Sequence, residues 1–134
     1  WGVGLDADVP VTTKLSLKGE FFYGDNLDAF LGGIGQGINT TKEIAVRTIG
    51  GWGQLSYALT PELTANIGYG IDDPFKDTLS NGMISSNQTG FLNLIYSLHK
   101  DVKVGFEYSH WITGYVEKKN SSNDRFQSSF IYQF

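Results

Sequence analysis

Period-two alternation between apolar and polar residues runs through most of this chain, and it restricts the fold more than any other feature. Such alternation marks β-strands whose two faces meet different surroundings. It is cleanest near the C-terminus, where Phe126, Ser128, Phe130, Tyr132 and Phe134 share one face. Arg125, Gln127, Ser129, Ile131 and Gln133 share the other. The same pattern recurs in segments 102–112, 90–99, 63–72, 48–59, 14–23 and 1–8. In segment 90–99, for example, Leu92, Leu94, Tyr96 and Leu98 oppose Phe91, Asn93, Ile95 and Ser97. No Asp, Glu, Lys or Arg falls on the apolar face of any of these segments. The pattern predicts an all-β chain of about seven antiparallel strands.

A soluble sandwich and a membrane wall both alternate, so composition has to help. Charged residues make up 18% of the 134 residues, below the roughly 25% of an ordinary globular domain. Mean hydropathy is close to neutral, as expected of strands with one face in lipid and the other in water. No run of about 18 apolar residues is present, so no helix is expected to span a membrane. The chain has no Cys, which excludes disulfides, thiolate metal sites and cysteine nucleophiles. A net charge of -4 argues against a nucleic-acid partner, which needs a basic face.

The connections decide more. Short ones lie near 9–13, at Thr60-Pro61-Glu62 and at His99-Lys100-Asp101. Long polar ones lie at about 25–44, 73–88 and 113–124. Outer-membrane barrels have short periplasmic turns and long extracellular loops, and here every short turn falls at one end and every long loop at the other. Tyrosines on the apolar face sort by height. Tyr57, Tyr96 and Tyr132 lie near the short-turn ends, and Tyr23, Tyr69 and Tyr108 near the loop ends. Tyr favours a membrane interface because its ring is apolar and its hydroxyl stays wet. These features predict a transmembrane antiparallel up-and-down β-barrel with three extracellular loops. Because residues 1–8 already read as a strand and no signal peptide precedes them, residues 1–134 are expected to be the C-terminal part of a single, larger barrel domain.

The last strand resembles the sorting signal of bacterial outer-membrane barrel proteins, a terminal Phe preceded by apolar residues at alternate positions. Phe134, Tyr132, Phe130 and Phe126 occupy those positions here, with Ser128 the weak member. The stretches Gly51–Leu63 and Gly105–Trp111 look like hairpins of large porins. The resemblance implies an outer-membrane location among lipid and lipopolysaccharide, handling by the barrel-assembly machinery, and a homotrimer. It also implies passive diffusion of small polar solutes through a channel that needs no cofactor. The competing expectation is a closed structural or adhesive barrel whose external loops bind a partner.

Polar positions that would line a pore include Lys18, Glu20, Gln54, Asn66, Asn93, Lys103, Glu107, Arg125 and Gln127, with Asp6, Asp8 and Lys14 beside them. Such a wall filters by size and charge, whereas a packed polar plug would use the same residues. The segment Phe30-Leu31-Gly32-Gly33-Ile34-Gly35-Gln36-Gly37-Ile38 is unusually apolar for an external loop. It is expected to fold into the lumen as a constriction, to pack against a neighbouring subunit, or to cap the rim. No Gly-Lys-Ser/Thr follows it, so it is no phosphate loop. Asp72, Asp73 and Asp77 suggest either a Ca²⁺ site or, more simply, a turn before Pro74. The two histidines, His99 and His110, are expected at opposite ends of their strands. Ser109 and His110 are neighbours that point to opposite faces of a strand. No nucleophile and base stand out as a pair, so no catalytic residue, metal ligand or enzymatic activity is assigned.

Overall fold

The computed structural model describes residues 1–30 and 32–134. Its strands are β1 (Gly2–Pro10), β2 (Leu15–Asp25), β3 (Ile38–Asn39), β4 (Ile44–Ala45), β5 (Arg47–Ala58), β6 (Leu63–Pro74), β7 (Ile84–His99), β8 (Val102–Tyr115) and β9 (Lys118–Tyr132). Seven of them form one antiparallel sheet in the order β1-β2-β5-β6-β7-β8-β9, and β3 pairs only with β4. Each long strand therefore neighbours the next one in the chain, with the small β3–β4 hairpin as the one excursion. The sheet is open. β1 and β9 are its edges, and both are exposed along their whole length.

The register keeps the two faces apart across the sheet. One ladder row runs Leu17–Leu55–Ile67–Leu92–Tyr108–Phe126. The adjacent row on the other face runs Ser16–Ser56–Asn66–Asn93–Glu107–Gln127. Among the described residues nothing covers the apolar face: Leu5 is 70% exposed, Ile67 61%, Phe106 64% and Phe130 70%. Among the described residues the buried large apolar side chains are Leu27, Val46 and Leu79. All three lie in connections at one end of the sheet, so among the described residues the sheet has no second layer and no core of its own.

Strands run further than the alternation does. Residues 113–124, expected as a long loop, are almost entirely strand, and β8 turns into β9 through Val116 and Glu117 alone. Glu117 adopts a left-handed φ of 57° there. Thr113 pairs with Ser121 and Trp111 with Asn123, so both faces turn polar while backbone pairing continues. Backbone hydrogen bonds do not need the apolar pattern that sequence reading depends on. The expected loop 73–88 shrinks to 75–83 with a 3-10 turn at Lys76–Thr78, and the expected loop 25–44 spans 26–46. These longer strands also correct the expectation of an uncharged apolar face. Asp25, Arg47, Asp73 and Asp124 lie on that face, all at the loop end of the sheet. Arg47 Nε donates to Asp25 Oδ1 at 2.8 Å.

The turn ends are close to expectation. Thr12 Oγ1 accepts from the Leu15 amide at 3.0 Å, and Thr60 Oγ1 accepts from the Leu63 amide at 3.1 Å. Threonine hydroxyls thus close two of the three short turns.

Two glycines give a direct test of this packing. A Cβ on Gly51 would overlap the carbonyl oxygen of Glu20 on the neighbouring strand, whereas a Cβ on Gly90 would meet nothing within 4 Å. Gly51→Ala is expected to destabilise by about 1–3 kcal/mol, the usual range for overpacking. Gly90→Ala is expected to be close to neutral. Thermal unfolding midpoints measure the difference, and equal midpoints for the two variants would refute the close strand approach at Gly51.

Candidate functional site

The polar face carries a hydrogen-bonded line of side chains across four strands. Gln54 Nε2 donates to Ser56 Oγ at 2.9 Å and to Asn66 Oδ1 at 3.2 Å. Asn66 Nδ2 donates to Asn93 Oδ1 at 2.6 Å, and Asn93 Nδ2 to Glu107 Oε2 at 3.0 Å. Cross-strand pairing places these residues side by side because strand neighbours on one face stand about 5 Å apart. Nearby, Lys18 Nζ lies 2.8 Å from Asp8 Oδ2, and Arg125 hydrogen-bonds Gln127. Lys103 stands opposite Ser97 and Ile131 toward the turn end. Eight of the nine expected lining residues thus join polar contacts on one face, with Glu20 accepting from Trp52 Nε1 at 3.3 Å.

Aromatic rings share this polar face, and they were not singled out from the sequence. Phe22, Trp52, Phe91 and Trp111 all have the lining parity. Phe22 lies over Gly50 and Phe91 over Gly68, at the places where a Cβ on either glycine would overlap the ring. A small residue opposite each ring makes the space it occupies. The available signal was that these rings alternate with the apolar face rather than belong to it.

The connection between β2 and β5 folds back over the same face at the loop end. Two 3-10 turns, Asp28–Phe30 and Gly33–Gly35, lead to the β3–β4 hairpin. Gly33, Ile34 and Gly35 are consecutive left-handed residues, with φ of 68°, 57° and 69°. Glycine takes this conformation freely, but a β-branched residue does not. Ile34 is held there from outside: its amide donates to Asp72 Oδ2 at 3.0 Å, and Asp72 Oδ1 accepts from Thr48 Oγ1. Gln36 grips β7 twice, donating to the Ile84 carbonyl at 2.8 Å and accepting from the Ile84 amide at 2.9 Å. Asn39 Nδ2 donates to the Thr78 carbonyl at 2.9 Å, tying this connection to the next one. Of the apolar segment singled out in the sequence, Leu31 lies outside the described residues. Asp72 and Asp73 point to opposite faces, and among the described residues no group of three acidic or histidine side chains is placed to hold a metal.

On the apolar face the tyrosines form two oblique lines. Tyr57 is level with Leu94 on β7, and Tyr96 lies two residues nearer the turn end. Tyr96 is level with Phe130 on β9, and Tyr132 again lies two residues further. The line falls one residue per strand. With about 3.3 Å per residue and about 4.8 Å per strand, that slope is about 35° to the ladder rows. Tyr23, Tyr69 and Tyr108 fall in the same direction along the other end. Tyr69 Oη donates to Gln88 at 2.8 Å and Tyr108 Oη to Asp124 at 2.7 Å. Asp124 also meets His110 Nδ1 at 2.8 Å. His99 lies at the opposite end, 3.5 Å from Asp101.

No family model matches the chain, and no curated protein or solved structure matches it either.

Asp72 is the clasp of the folded connection. Replacing it with Ala removes a charged acceptor worth about 1.5–3 kcal/mol. Amide exchange at Ile34 is expected to speed up by at least tenfold, with amides of the β7–β8 pairing unchanged. Unaltered exchange at Ile34 would mean that other contacts hold the connection.

Proposed function

We propose that this sheet is part of the wall of a transmembrane β-barrel in a bacterial outer membrane. The barrel is read as a porin-type channel that passes small polar solutes by passive diffusion. The observation that carries this reading is the bare apolar face. Seven strands present Leu, Ile, Phe and Tyr outward with nothing over them, while the opposite face is polar and hydrogen-bonded. A soluble monomer rarely exposes a contiguous apolar patch above a few hundred Å². Lipid is the surrounding that makes such a face favourable.

The oblique tyrosine lines support the same reading independently. Barrel strands tilt by about 35–45° from the axis. The turn-end line, inclined at about 35° to the ladder rows, becomes level once strands tilt by that amount, and the steeper loop-end line falls in the same direction. Level rings at two heights suit the two interfaces of a bilayer. The charged residues of the apolar face lie beyond the upper line or at it, where water and headgroups begin. Phe126, Phe130, Tyr132 and Phe134 stand exposed on the edge strand and its end, which suits recognition by assembly machinery.

In this reading the polar face lines the lumen, and the connection Asn26–Val46 narrows it from the extracellular side. Gln54, Asn66, Asn93 and Glu107 offer solutes successive hydrogen-bonding partners, with charges on both sides of that row.

Two experiments test the reading. Leu94→Arg places a charge at mid-height on the apolar face. In a membrane it is expected to cost about 2–4 kcal/mol of folding stability, whereas a substitution at an exposed soluble surface stays within about 0.5 kcal/mol. A neutral result would remove the membrane assignment. Single-channel recording of the complete native protein in a planar bilayer is expected to give stable conductance steps, in threes for a homotrimer. A silent bilayer from folded protein would instead favour a closed structural or adhesive barrel.

A further inference from the structure

The charges of the polar face are sorted along the strands. Asp6 on β1 stands directly opposite Glu20 on β2, and Asp72 on β6 lies nearer still to the loop end. Like charges directly opposite each other destabilise a sheet, and among the described residues none of the three has an ion-pair partner. Glu20 accepts from Trp52 Nε1, and Asp72 from Thr48 Oγ1 and the Ile34 amide. These donors are neutral, so the negative charge stays uncompensated. At the turn end the sign reverses. Lys14 precedes β2 with the parity of Ser16 and Lys18, and Lys103 lies near the start of β8. Neither lysine has an ion-pair partner among the described residues.

Between the two ends the charges cancel. Lys18 Nζ lies 2.8 Å from Asp8 Oδ2. Glu107 and Arg125 occupy neighbouring places on β8 and β9, since Ser109 pairs with Arg125 and Glu107 with Gln127. Past the wall, the charges of residues 26–46, 75–83 and 116–119 balance. The polar face is thus negative toward the loops and positive toward the turns. Levelling the sheet along the turn-end tyrosine line moves Glu107 and Arg125 together toward the loops, where they still offset each other. It leaves Asp6, Glu20 and Asp72 above Lys14 and Lys103.

Distance lets the two ends act separately. Glu20 and Lys14 are about 20 Å apart along the strand, at about 3.3 Å per residue. The screening length is about 10 Å in 0.1 M salt and about 3 Å in 1 M salt. Each end therefore enriches its own counter-ion, cations near the loops and anions near the turns.

We propose that this polar face makes the channel a rectifier, with Asp6, Glu20 and Asp72 setting cation preference at the outer mouth and Lys14 and Lys103 setting anion preference at the inner one. The inference deepens the channel reading and rests on it. With the loop side positive, cations enter through the acidic zone and anions through the basic zone, and both accumulate between them. With the polarity reversed, both are drawn out and the middle is depleted. Current is larger in the first case.

The test records single channels of the full native protein in a planar bilayer, in symmetric KCl at equal and opposite voltages. The direction of insertion then changes the sign of the asymmetry and not its size. At about 100 mV the two currents are expected to differ by about 1.5-fold in 0.1 M KCl and to become nearly equal in 1 M KCl, where screening is short. Asp6→Asn with Glu20→Gln, and separately Lys14→Gln with Lys103→Gln, are each expected to bring the currents in 0.1 M KCl close to equality. In a KCl gradient the acidic pair shifts the zero-current potential toward anion preference and the lysine pair toward cation preference. General damage to the barrel does not produce such opposite shifts. Should circular dichroism show that a double variant has not folded, Glu20→Gln and Lys103→Gln alone carry the same test with a smaller effect. Equal currents in 0.1 M KCl, an asymmetry that survives both pairs, or one unchanged in 1 M KCl overturns the rectifier and leaves the channel. A silent bilayer from folded protein overturns the channel, and the rectifier with it.

Discussion

Everything in this molecule depends on an unslipped strand register. Side chains alternate with period two, so a shift of one residue in any pairing would exchange the two faces of that strand. A slip of one residue between β7 and β8, for example, would stand Phe106 beside Asn93 and Glu107 beside Leu92. A sheet with a core on one side is held in register by burial. Here the described residues form no second layer, so the polar face has to help. The Gln54–Asn66–Asn93–Glu107 line forms only in the observed register. The same register puts Phe22 over Gly50 and Phe91 over Gly68, and a slip would drive each ring against a neighbour with a side chain.

The folded connection depends on that register in turn. Asp72 must lie beside Thr48 and face the polar side to meet the Ile34 amide. Only then is a left-handed isoleucine between two glycines sustainable, since such strain persists where surroundings fix it. Gln36 reaches Ile84 at the start of β7, and Asn39 reaches the connection beyond β6. One loop thereby ties β5, β6 and β7 together at the end where the small buried core of Leu27, Val46 and Leu79 sits.

The strands were legible in the sequence because each carries its own two-residue period. The seven strands of the sheet and the side on which Gln54, Asn66, Asn93 and Glu107 lie followed from that period, and their antiparallel order from the connections between them, whereas the β3–β4 hairpin was not expected. What was not legible depends on contacts distant in the chain. The polar stretch around Ser121 to Asp124 has no apolar alternation, and it becomes strand because Trp111, Ile112 and Thr113 extend beside it. The role of Asp72 was hidden for the same reason. As a residue before Asp73-Pro74 it reads as part of a turn, while its partner Ile34 is 38 residues away. Trp52 and Trp111 were visible on the polar face, but their common ladder row required knowing that β6 and β7 lie between them.

The slope of the tyrosine lines joins these levels. Ladder rows are set by backbone hydrogen bonds, and they say nothing about what surrounds the sheet. Tyrosine height is set by side-chain chemistry, and it says nothing about pairing. If aromatics merely favoured strands, their positions would follow no common slope. Instead both lines fall in one direction, and the turn-end line drops one residue per strand. Closing a sheet into a barrel demands a stagger of about this size, because strands must tilt for the first and last to meet. The open edges at β1 and β9 suit the proposed barrel on separate grounds, since long unpaired strands invite aggregation. In the proposed barrel a single geometry, tilted strands in a closed wall crossing a layer with two interfaces, would account for the stagger, the bare edges and the bare apolar face together.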